Sequence, residues 1–148
     1  IKMFNPEFIG HSFPTKTVNV EEGKLKFFSQ TIGETDPIYL DKDAAKDKGY
    51  RSILAPPTYS FSLTLEGESL RDKYEPIGLE LGKLLHGAQS FEFFGEICAG
   101  DTVIIDSKIV DIFQKKSGAL DFCIEEMVVK NVVGETLAVL TQTFIMRH

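Results

Sequence analysis

The second half of the chain alternates apolar and polar residues with a period of two, and the first half does not. Four stretches carry the alternation: Leu85 to Phe94, Thr102 to Phe113, Leu120 to Val129 and Thr136 to Met146. Successive side chains of a strand point to opposite faces, so this period predicts half-buried strands. Gly100-Asp101, Lys115 to Gly118 and Asn131 to Gly134 separate them as short glycine-containing turns. Links that short join antiparallel neighbours, and the pattern predicts a meander.

The first half reads as helix and loop. Asn19, with Glu22 three residues on, forms a box-like cap; Leu25, Phe28 and Ile32 recur at helical spacing, and Gly33 is placed to end the helix. Asp41 is the next cap, and Gly49 closes that short helix. Proline suits a helix's first turn, so a longer helix is expected from about Pro57 toward Leu70. Its Tyr59, Phe61, Leu63, Leu65 and Leu70 fall on more than one face, as in a buried helix. A meander must cover its inner face, and this is the one apolar helix of suitable length. The expectation is α+β, an antiparallel sheet wrapped around a long central helix. The 148 residues suffice for one domain with its own core, spanning 1–148.

Composition removes several classes. A formal charge of −6 without a Lys/Arg stripe argues against nucleic acid or anionic membrane as partner. No apolar run approaches the roughly 18 residues of a membrane span, and no signal-like segment opens the chain, so a cytoplasmic protein is expected. Met3 is a candidate natural start, with Ile1 and Lys2 before it. Cys98 and Cys123 lack CxxC or Cys/His spacing and read as reduced thiols, with no metal site implied.

Gly33-Glu34-Thr35-Asp36-Pro37-Ile38-Tyr39, then Gly49-Tyr50 and Ile53-Leu54-Ala55-Pro56-Pro57-Thr58, resemble the motif of the MaoC-like hydratase/dehydratase family. Phe91 to Thr102, with Ile97 and Ala99-Gly100-Asp101-Thr102, resembles that family's aromatic strand and Gly-Asp turn. The proline-rich pieces most resemble the branch named for the N-terminal half of MaoC dehydratases. The resemblance implies a hot-dog fold and reversible hydration of a trans-2-enoyl thioester to an (R)-3-hydroxyacyl thioester. It implies no cofactor beyond the CoA or acyl-carrier protein bearing the substrate. An aspartate and a histidine of the motif activate the water, and a backbone N–H at the helix start stabilises the enolate-like oxygen.

Each of those elements is altered here. Glu34 stands at the aspartate position, Asp36 at the asparagine and Tyr39 at the histidine, while the oxyanion glycine falls at Pro56 or Pro57, which have no N–H. The expected role is therefore an acyl-binding subunit supporting a catalytic hot-dog partner, as a heterodimer. The alternatives are an active homodimer using Glu34, Tyr39 or His86, and a non-catalytic acyl-thioester module; a thioesterase is a distant fourth. Asp36, Ala55, Pro56, Pro57, Thr58 and Gln89 are the expected substrate contacts. Twelve Phe suit an acyl tunnel as well as a core. Glu66 and Glu68 read as a solvated helix end, His11 and His148 as exposed, and Arg51 and Lys83 as solvated charges.

Overall fold

The computed structural model describes residues 2–148; Ile1, one of the two residues before the candidate start at Met3, lies outside them. Its strands are β1 (Lys16–Asn19), β2 (Leu84–Phe93), β3 (Thr102–Lys115), β4 (Leu120–Lys130) and β5 (Thr136–Arg147). They form one sheet in the order β1-β3-β4-β5-β2, antiparallel throughout. The helices are α1 (Glu22–Thr31), α2 (Lys42–Asp47), α3 (Tyr59–Leu65) and α4 (Leu70–Tyr74). This is the expected α+β class, with the sheet's apolar face covered by α3 and α4. Among the described residues no helix is long and apolar enough to cross a membrane.

Four expectations change. The meander holds only for β3, β4 and β5; β2 crosses over to pair with β5, Gln89 opposite Gln142 and Phe91 opposite Leu140. Asn19 caps no helix. It ends β1, its Oδ1 accepts from Thr102 Oγ1 at 2.9 Å, and Glu21 occupies the cap position of α1 without a side-chain bond. Pairing of Val18 with Val103 holds that segment extended, so tertiary contact overrides the local cap signal. The central helix is also two helices. Gly67 adopts φ +67 and breaks it, and Ser69 Oγ then accepts from the N–H of Asp72 to cap α4. Finally, Glu66 and Glu68 are half-buried and paired rather than free in solvent: Glu66 pairs with Lys24 at 3.2 Å, and Glu68 with Lys16 at 3.4 Å. Gly33 at φ +77 and the Asp41 cap on the Ala44 N–H follow expectation.

Alternation along β4 and β5 sends Cys123, Glu125, Met127 and Val129, and Ala138, Leu140, Gln142 and Phe144, to the inner face. Two apolar clusters lie there. One gathers Leu25, Ile53, Tyr59, Leu63, Met127, Val129 and Leu140 around α3. The other gathers Phe4, Tyr74, Ile77, Ile109, Cys123, Phe144 and Met146. A polar belt separates them. Gln89, Gln142 and Glu125 stand in register on β2, β5 and β4. Gln142 Nε2 donates to Glu125 Oε1 at 2.6 Å and to Tyr74 Oη at 3.1 Å, and the Tyr74 hydroxyl donates to Glu125. From α4, the Lys73 ammonium lies 2.9 Å from Glu125 Oε2, off the hydrogen-bonding direction, so that contact is an ion pair. Glu125 is fully buried, and a buried charge requires such partners.

Candidate functional site

A chamber of about 190 Å³ opens at the N-terminal turn of α3. Three backbone bonds assemble it. The N–H of Leu54 donates to Ile38 O at 3.0 Å, that of Ala55 to Ile97 O at 2.8 Å, and that of Ala99 to Ile53 O at 2.8 Å. The Ile53–Ala55 strap thereby fixes the Pro37–Tyr39 turn on one side and the approach to β3 on the other. Tyr39, Ala55, Pro56 and Pro57 all line the chamber, as do Phe93 and Ile97. Leu54, Ser60, Leu137 and Ala138 complete much of the wall and were not singled out from sequence. Ser60 follows Pro57 by three residues, a helical spacing that could have marked it; Ala138 has no local signal.

The other expected residues lie elsewhere. Glu34 is not among the residues lining the chamber, and its Oε1 accepts from the N–H groups of Thr35 at 3.0 Å and Asp36 at 3.2 Å. Asp36 Oδ1 caps the Pro37–Tyr39 turn through the N–H of Ile38 at 3.1 Å. Thr58 is exposed at the cap position of α3. His86 and Gln89 lie toward the other end of β2 from Phe93. The His86 ring packs between Phe61 and Phe144, with centroids 5.8 and 6.0 Å away. Gln89 Nε2 donates to Ser90 O at 3.3 Å. The structure thus brings Tyr39 and the proline strap together and leaves His86 and Gln89 apart from them.

The surroundings of Tyr39 favour its protonated form. Burial, reinforced by the carboxylates of Glu34 and Asp36, pushes the Tyr39 phenol above its ordinary value of 10. It is protonated at neutral pH, a hydrogen-bond donor rather than a base. Pro56 and Pro57 have no N–H to offer an oxyanion, and the Ala55 N–H is already given to Ile97. Beside the chamber runs a wider groove of about 650 Å³ that shares Gly95, Glu96 and Leu137 with it. Arg51 stands in that groove but is engaged by Asp101 at 2.6 Å, and Glu96 and Glu135 add negative charge. Lys83 is likewise paired, with Glu80 at 2.7 Å, and lies at the start of β2. His11 is exposed between Phe8 and Phe13, whereas His148 is half-buried, 3.5 Å from Lys83 Nζ. Both cysteines are free and buried, and burial pushes the Cys123 thiol up to about 12. Among the described residues no cluster of three or more His, Cys, Asp or Glu could hold a metal ion.

The chain is similar to several known proteins. Residues 7–140 match the model of the FAS1-like dehydratase domain region. A UPF0336 protein of Streptomyces avermitilis is 33% identical over 106 residues, 71% of each chain. Two solved structures share the fold. The HadBC (3R-hydroxyacyl-ACP dehydratase) complex of Mycobacterium tuberculosis superposes with a TM-score of 0.76 at 19% identity, covering 93% of this chain and 96% of that one. A MaoC-like dehydratase superposes with a TM-score of 0.82 at 22% identity, covering 95% of this chain and 42% of that one. With a match over nearly its whole length, and with the sheet, strap and chamber already in place, the chain belongs to the FAS1-like dehydratase region family and has the MaoC-like hot-dog fold.

Proposed function

We propose that this chain is the acyl-binding subunit of an (R)-specific enoyl-thioester hydratase/3-hydroxyacyl-thioester dehydratase, whose acid–base pair comes from a partner hot dog. One observation carries the reading: an apolar chamber is built at the family's site, with a tyrosine where the motif has its histidine and no free backbone N–H on Ala55, Pro56 or Pro57. The Glu34 carboxylate is bonded to its own loop, Tyr39 holds its proton, and prolines occupy the oxyanion position. Removing one oxyanion donor alone lowers turnover by about a hundredfold or more.

The sheet edge supports a partner. β2 is an outer strand, and Leu85, Phe93 and Phe94 on or beside it are 49%, 49% and 63% exposed. An apolar unpaired edge is a template for another chain. The substrate would arrive on CoA or an acyl-carrier protein, with no further cofactor, in the cytoplasm. The test is hydration of trans-2-butenoyl-CoA, followed by loss of enoyl absorbance. The chain alone is expected to be silent, and mixing with a hot dog bearing an intact Gly-Asp-x-Asn-Pro-x-His segment is expected to give turnover. Robust turnover by the chain alone would overturn the subunit role and favour the active homodimer.

A further inference from the structure

The chamber has a floor. Behind Ser60 and Ala138, each about 1% exposed, stand Leu63 and Leu140 with no exposure, packed into the cluster around α3. Further along β5 the polar belt crosses the inner face at Gln142, four residues past Ala138, which is about 13 Å of strand. An apolar chain lengthening from the mouth would first have to displace Leu140 and then meet Gln142 and the Glu125–Lys73 pair. Neither obstacle yields easily, because cores are close-packed and a disturbed buried ion pair is strongly unfavourable.

We infer, resting on the acyl-binding role above, that the site takes short acyl thioesters and that Ser60, Ala138 and Leu140 gauge their length. The size follows from the space. An apolar cavity of about 150 Å³ holds one benzene, so a chamber of about 190 Å³ holds an acyl group of about four to six carbons. Medium and long chains find no continuous path between α3 and the sheet. Tyr39 lines the chamber and supplies a hydroxyl that can donate to a polar atom of the group that enters.

Calorimetric titration of the full chain with CoA, butyryl-CoA, hexanoyl-CoA and dodecanoyl-CoA tests this. A buried methylene gives about fourfold in affinity, so hexanoyl is expected to exceed butyryl by about fifteenfold. The gain should then stop, with dodecanoyl no tighter than hexanoyl. A gain that continues to dodecanoyl overturns the length gauge and leaves the acyl-binding role standing. If no acyl-CoA binds tighter than CoA itself, the acyl-binding role fails and the gauge with it. Ala138→Val is expected to abolish the hexanoyl advantage, and Leu140→Ala to extend the gain to octanoyl-CoA. Should Leu140→Ala not fold, Ala138→Val carries the test: a folded variant with an unchanged profile overturns the assignment.

Discussion

Replacing Lys73 by methionine would leave the fully buried Glu125 carboxylate without its only cation within 4 Å among the described residues. At the observed 2.9 Å and an effective dielectric constant of about 20, the attraction is about 6 kcal/mol. Desolvation of both ions offsets much of that in the native pair. Removing one partner forfeits the attraction and keeps the remaining ion's desolvation, and such changes typically cost about 3–5 kcal/mol. A domain of this size has about 5–15 kcal/mol in total, so Lys73→Met should consume a large part of it. The Tyr74 and Gln142 donors still hold Glu125 Oε1 and keep the loss within that range. The double variant Lys73→Met/Glu125→Gln removes both charges and should regain most of the loss, giving a coupling of about 2 kcal/mol or more. Urea denaturation of the parent, Lys73→Met, Glu125→Gln and the double variant measures it, with midpoints compared at unchanged slope. A loss below about 1 kcal/mol for Lys73→Met, or no recovery in the double variant, would refute the belt as a buried charge system.

Other perturbations follow from the same contacts. Burial raises the Asp121 carboxyl above 3.8 despite the Phe4 N–H donated to it at 2.6 Å. The folded chain therefore holds this proton more tightly than the unfolded chain, and stability falls as pH rises through the folded value. Asp121→Asn should be more stable than the parent at pH 7, with the difference vanishing below about pH 4; thermal melts across pH would show the opposite order if the charge were stabilising. Gly78 has φ +116, and a Cβ there would run into the carbonyl of Met3, so Gly78→Ala should lose more than about 1 kcal/mol in the same denaturation assay. Restoring Glu34→Asp and Tyr39→His together should still give no hydratase activity in the chain alone, since Pro56 and Pro57 remain; turnover above the parent would show that the oxyanion donor lies elsewhere. With burial raising both thiols, Cys98 and Cys123 should resist Ellman's reagent in the native chain and react only on unfolding.

Local signals placed the long strands well. Leu120–Lys130 and Thr136–Arg147 lie within one residue of the alternation because every second side chain there is buried by the same face. β1 escaped notice because four residues with one buried side chain, Val18, carry no readable period. The motif resemblance named Tyr39, Ala55, Pro56 and Pro57 together; the last three are chain neighbours at a helix start, and Tyr39 joins them through the bond from the Leu54 N–H to Ile38 O. Ala138 could not be read that way, because its meeting with Ser60 depends on β5 passing beneath α3.

The sequence by itself determined which residues share a face along the long strands and where turns fall, and its resemblance to the family marked the proton-transfer side chains as replaced. Those properties depend on residue type and spacing along the chain. Only the tertiary structure decided that β2 leaves the meander to pair with β5, that Gly67 splits the central helix, and that Lys73 and Tyr74 neutralise and satisfy Glu125. Each of these joins segments far apart in sequence, and long-range packing selects among arrangements that local preference leaves equal.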